Sequence, residues 1–149
     1  MGRAGVECGQ ALPEVRKLVT QVQIDGYADV SGDGNLVHLD PKFAARSSFG
    51  RIVAHGMLVL AFVSEMLTQA FGHSWLETGH LKVRFRAPVY PGEEVVTFGR
   101  VTSLMNEEAG QRIRCSLGCR KVDGQEVIIG EASVVVLGRE IQQSAWRTY

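Results

Sequence analysis

The sequence predicts an α+β fold in which an antiparallel sheet closes around a single long helix, and three observations lead there. Arg51 to Phe71 holds the only long helical pattern, with Ile52, Met57, Leu58, Leu60, Phe62, Met66, Leu67, Ala70 and Phe71 spread over most of its circumference. Everything from Leu81 to Leu137 instead reads as strands, with apolar and polar residues alternating at a two-residue period in Leu81 to Ala87 and in Arg112 to Arg120. Length supplies the third: 149 residues, 45% of them apolar, form one domain. Such a domain buries roughly two thirds of its unfolded surface without disulfide or metal staples.

Taken in order, residues 1–14 mix Gly, Arg, Glu and Gln without a period and are expected to be an irregular lead-in. Val15 to Ile24 carries Val19, Thr20, Val22 and Ile24 among polar residues and is expected to be a strand, with Asp25 to Val30 a short turn or helical segment. Ser31-Gly32-Asp33-Gly34-Asn35 sets turn formers in a row, an ordered loop ahead of Leu36, Val37 and Leu39. Pro41 to Ala45 starts a short helix. In the long helix that follows, Ser64, Glu65, Thr68 and Gln69 are the main polar relief, so it is surrounded by other structure, and Gly72 stops it.

In the next strand Leu81, Val83, Phe85 and Ala87 alternate with Lys82, Arg84 and Arg86, and Pro88 with Pro91-Gly92 turns the chain. Glu94 to Leu104 follows. Asn106 to Gly110 turns it into a strand with Ile113, Cys115, Leu117 and Cys119 on one face and Arg112, Arg114, Ser116 and Arg120 on the other. Asp123-Gly124 is a hairpin turn into Glu126 to Leu137, both of whose faces are partly apolar. A meander wrapped on one helix is the hot dog arrangement, assigned to residues 15–138 with 139–149 as a tail. Its edges and partly apolar outer side are expected to pair with a second copy across a two-fold axis, making a homodimer.

Composition narrows the function classes. Sixteen Lys plus Arg balance sixteen Asp plus Glu, so nucleic acid and anionic membranes are poor partners. Cys8, Cys115 and Cys119 are odd in number and lack Cys-x-x-Cys spacing, which argues against a zinc knuckle or disulfide framework and for a reducing compartment. The longest apolar run, Met57 to Val63, falls far short of the roughly 18 residues of a membrane helix. A cytoplasmic location and no membrane insertion are expected.

Two segments carry candidate chemistry. Asp33 and His38 bring a carboxylate and an imidazole close together on a glycine-bearing loop, a pairing suited to moving protons to and from water near neutral pH, or simply a capped turn with a space-filling histidine. Ala54-His55-Gly56-Met57 opens the long helix, where unpaired N–H groups and the positive end of the helix dipole favour a carbonyl oxygen that gains negative charge. Close helix–sheet packing would also explain Gly56. Ser64 lies further along the helix, placed to bond toward Asp33 and Asn35 or to the backbone one turn earlier.

Ser31-Gly32-Asp33-x-Asn35-x-x-His38, then Phe49-Gly50-x-Ile52-x-Ala54-His55-Gly56-Met57 and Ser64, resembles the MaoC-like, (R)-specific enoyl-CoA hydratase family of hot dog proteins. Phe85-x-Ala87-Pro88-Val89-x-Pro91-Gly92-Glu93 extends the likeness. The resemblance implies that Asp33 and His38 are the catalytic pair, that Gly56 lends its N–H to the thioester carbonyl, that Ser64 is the helix serine near the catalytic aspartate, and that Asn35 supports the loop. It implies hydration of a trans-2-enoyl-CoA to the (R)-3-hydroxyacyl thioester, or the reverse, with no cofactor beyond the coenzyme A of the substrate and no metal. His55 and Met57 flank Gly56 as substrate-binding candidates. Lys82, Arg84 and Arg86 form a strand face suited to coenzyme A phosphates, although a merely solvated outer face is the more ordinary reading of such alternating charge, and Arg46 and Arg51 are comparable candidates. A departure is Leu36, where the family usually has proline. An acyl carrier protein dehydratase, an acyl-CoA thioesterase and a non-catalytic acyl-CoA-binding or scaffold subunit remain alternatives.

Overall fold

Thr20 decides where the first helix begins. In the computed structural model, which describes residues 5–137, β1 (Arg16–Leu18) is short and α1 (Gln21–Ser31) starts within the expected strand. Thr20 Oγ1 accepts from the Gln23 N–H at 3.2 Å, and the Gln23 side chain accepts from the Thr20 N–H at 3.2 Å. This reciprocal cap satisfies two donors of a helix start and outweighs the β-branched run Val19, Thr20, Val22 and Ile24. Only Ile24 and Ala28 of α1 are buried.

After the loop come α2 (Leu36–Leu39) and α3 (Pro41–Arg46). Asp40 Oδ1 caps α3 by accepting from Lys42 and Phe43 N–H at 2.9 and 3.3 Å. The enclosed helix α4 (Gly56–Phe71) starts five residues later than the apolar pattern, because the Val53 and Ala54 N–H groups are taken by other segments, donating to the Val37 carbonyl at 3.4 Å and the Val89 carbonyl at 2.8 Å. Its Val63, Met66 and Leu67 are fully buried. Gly72 ends it as expected, and α5 (His73–Thr78), which carries no separate signal in the sequence, packs Trp75 into the core.

The sheet contains β2 (His80–Phe85), β3 (Glu94–Glu107), β4 (Gly110–Lys121) and β5 (Glu126–Leu137) besides β1, all antiparallel, in the order β1-β3-β4-β5-β2. This is the hot dog fold. The inward row of β4 is Ile113, Cys115, Leu117 and Cys119, each at most 2% exposed, while Arg114, Ser116 and Arg120 face out. A bulge between Val101 and Ser103 adds to the bend of β3 around α4. The lead-in is tied to the β3 edge: Gly9 and Leu12 N–H groups donate to the Val101 and Gly99 carbonyls, and Leu12 is buried. The tail at 139–149 lies outside the described residues.

Burial pushes the Cys115 and Cys119 thiols up to about 12, so neither supplies a thiolate nucleophile near neutral pH. Iodoacetamide on the folded protein is expected to alkylate exposed Cys8 alone, with Cys115 and Cys119 modified only after denaturation; peptide mass mapping reads the difference. Among the described residues no helix is long and apolar enough to cross a membrane.

Candidate active site

The site grows from the way α1 ends. Gly32 caps it with φ 76°, its N–H donating to the Ala28 carbonyl at 2.9 Å, a left-handed turn that a side chain would disfavour. Gly34 has no such requirement. The chain then runs through three short-range turns. Ser31 Oγ accepts from Asp33 N–H at 3.1 Å, Asp33 Oδ1 from Asn35 N–H at 3.2 Å, and Asn35 Oδ1 from Val37 N–H at 3.1 Å. Asp33 is thereby held with one oxygen tied to its own loop and the carboxylate exposed.

Asn35 is the N-cap of α2, which carries His38. Leu36 occupies the first helical position, where proline's missing N–H costs nothing, so proline and leucine both fit this turn. The His38 ring is oriented from outside its own helix: Nδ1 donates to the Val53 carbonyl at 2.6 Å. The proton on Nδ1 leaves Nε2 with the free lone pair. Gln21 adds a second anchor, its Nε2 donating to the His38 carbonyl at 3.0 Å.

His55, the N-cap of α4, is 2% exposed. Its ring stacks on His38 with centroids 3.8 Å apart and planes 27° apart, and Tyr27 lies against it at 4.8 Å. Its Nε2 donates to the Asp33 carbonyl at 3.0 Å. One donor or acceptor atom from each of Asp33, His38 and His55 falls within 4.8 Å of the others. Each ring commits one N–H to a backbone carbonyl, His38 Nδ1 to Val53 and His55 Nε2 to Asp33. The arrangement suits proton transfer.

Gly56 directly follows His55 and is exposed, as is Met57. Neither N–H has an acceptor among the described residues, so the positive end of a 16-residue helix opens beside the Asp33 and His38 pair. A Cβ on Gly56 would sit 3.1 Å from the Phe85 ring, so glycine lets β2 approach the helix start. Met57 and Phe85, both more than half exposed, give this end an apolar rim.

The other candidates are spread more widely. Ser64 lies two turns along α4, where its Oγ accepts from Trp75 Nε1 at 3.4 Å. Lys82 and Arg84 stand on the outer face of β2, in register with Glu131 and Ile129, and line an open depression of about 570 Å³ with Phe98 and Thr102. Arg86 is exposed just past the strand, and Arg51 stacks on Tyr90 at 4.6 Å. Val53, Gln21 and Tyr27, which orient the two histidines, have no local signature, since they come from segments remote in sequence.

A model of the MaoC like domain matches residues 7–120. The chain belongs to the MaoC-like family. Among its relatives, the 3-hydroxybutyryl-CoA dehydratase of Methylorubrum extorquens is 32% identical over 85% of this chain and 78% of its own. The (R)-specific enoyl-CoA hydratase of Aeromonas caviae is 32% identical over 86% of this chain and 98% of its own. The solved structure of the (R)-hydratase from A. caviae involved in PHA biosynthesis superposes with a TM-score of 0.76 at 28% identity, covering 89% of this MaoC-like chain and 98% of the other. The 3-hydroxyacyl-[acyl-carrier-protein] dehydratase of Arabidopsis thaliana mitochondria is 28% identical over 94% of this chain and 83% of its own.

Proposed function

We propose that this MaoC-like protein adds water reversibly across the double bond of a trans-2-enoyl-CoA, giving the (R)-3-hydroxyacyl thioester. The observation behind it is the joining of an exposed Asp33 carboxylate and a His38 ring, oriented through Nδ1, to the open N-terminus of α4. The thioester oxygen accepts from the Gly56 N–H, which binds most strongly when the oxygen becomes an enolate. Asp33 and His38 together take one proton from a water as its oxygen bonds to C3 and deliver one proton to C2. The hydrogen and hydroxyl of one water are thus added and the pair regains its starting protonation. Both events are proton transfers beside a carbonyl, so the reaction calls for no redox cofactor or metal. Similarity to relatives named as hydratases and dehydratases supports the reading.

The deciding experiment offers short, long and carboxylated enoyl-CoA thioesters and follows loss of enoyl absorbance, thiol release and product chirality. Accumulation of the (R)-3-hydroxy product supports the proposal. Thiol release without it would make the protein a thioesterase, and binding without turnover a scaffold subunit. Likeness to the Arabidopsis enzyme favours one further arm, the same acyl group on a carrier protein.

Two subsidiary proposals have their own tests. If Lys82 and Arg84 hold coenzyme A phosphates, Lys82→Ala and Arg84→Ala are expected to raise KM several-fold with kcat little changed. The outer edge of β2, which pairs with β5 alone among the described strands and lies beside the exposed Phe85, is proposed to be covered by a second copy. Light scattering at micromolar concentration is then expected to return twice the 16.3 kDa chain mass.

A further inference from the structure

The structure assigns His55 a positioning role: its buried ring fixes the Asp33 loop and the His38 ring relative to each other, and it does not contact substrate. This rests on the hydratase reading of Asp33 and His38 and extends it to the group behind them. The imidazole is 2% exposed, so it has no open face for an acyl chain or thioester. It meets both members of the pair at once, donating through Nε2 to the Asp33 carbonyl at 3.0 Å and stacking on His38 at 3.8 Å. Asp33 and His38 sit on segments separated by the Asn35 turn, and no hydrogen bond between their side chains occurs among the described residues. Along with the backbone of the loop, the His55 ring joins them.

Only one tautomer serves. A carbonyl can accept but not donate, so the bond to Asp33 puts the proton on Nε2. Nδ1 is buried without a partner among the described residues, and a proton there would be an unsatisfied buried donor. The ring is therefore an Nε2–H donor with a flat face for stacking, and these two properties can be removed separately. Because His55 immediately precedes Gly56, the same residue also sets the start of α4, bringing the thioester-oxygen donor into register with the pair.

The test is a set of three variants. His55→Gln keeps an amide donor near the position of Nε2 and loses the ring; His55→Phe keeps a ring and loses the donor; His55→Ala loses both. Each is checked for folding by thermal melting, then for kcat, KM and pH–rate profile on crotonyl-CoA. A group that positions reacting atoms is expected to lower kcat by about 10- to 100-fold when lost, with KM within about twofold. His55→Phe and His55→Ala should show that loss with a shifted pH profile, and His55→Gln should recover part of it. A folded His55→Phe with wild-type kcat would overturn the proposal, as would a rise in KM alone, which marks a substrate contact. Failure of the hydratase reading is distinguishable: if the wild-type protein hydrates no enoyl thioester, amide exchange still reports on the loop. Faster exchange across residues 31–38 in His55→Phe than in His55→Gln supports the tether, and equal exchange overturns it.

Discussion

Asp33→Asn and His38→Ala are each expected to lower crotonyl-CoA hydration by about 10²- to 10⁴-fold, the range that a positioned acid or base contributes. The loss should appear in kcat. Each side chain can be removed with little harm to the fold, because Asp33 is exposed and His38 half-buried, and neither belongs to the apolar core. Asp33→Asn retains an oxygen able to accept from Asn35 N–H, so it tests the charge and not the turn. His38→Ala removes the Val53 contact as well, and His38→Gln is the control for that bond. The double variant is expected to be little worse than either single one, since two groups serving one proton relay are not additive. Folded variants with near wild-type hydration would remove both residues from the mechanism.

Met66→Ala is expected to cost about 2–5 kcal/mol of stability. Met66 is fully buried in the middle of α4, within the core that also contains Val63, Leu67, Ile113 and Ile128. The helix is enclosed by the sheet, so neighbouring strands cannot collapse into the cavity without losing their ladder bonds. Met66→Leu, which nearly conserves volume, should cost less than about 1.5 kcal/mol. Chemical denaturation read by tryptophan fluorescence measures both, and a Met66→Ala loss below that of Met66→Leu would show that this part of the core is loosely packed.

Much of the architecture was legible because its signals are periodic or local. The two-residue alternation of β2 and β4, the Asp123-Gly124 turn and the all-round apolar pattern of α4 each report a physical environment from adjacent residues alone. The early chain was harder: β-branched residues around Thr20 suggested a strand, whereas a four-residue capping box set the helix. α5 is too short to display a period.

For the site, Asp33, His38 and Gly56 were visible because turn formers around a carboxylate and a glycine at a helix start are unusual in short stretches of chain. What sequence could not show is which atoms remain available. Val53 takes the His38 Nδ1 proton, Asp33 offers its carbonyl to His55, and Trp75 meets Ser64, all through contacts made when distant segments pack. Sequence by itself determined the sheet-around-helix plan and marked Asp33 and His38 as candidates for the proposed acid–base pair, since both follow from local pattern and chemistry. Tertiary structure alone decided the orientation and tautomer of each histidine and the burial of His55, because directional hydrogen bonds need a partner that the local chain does not contain.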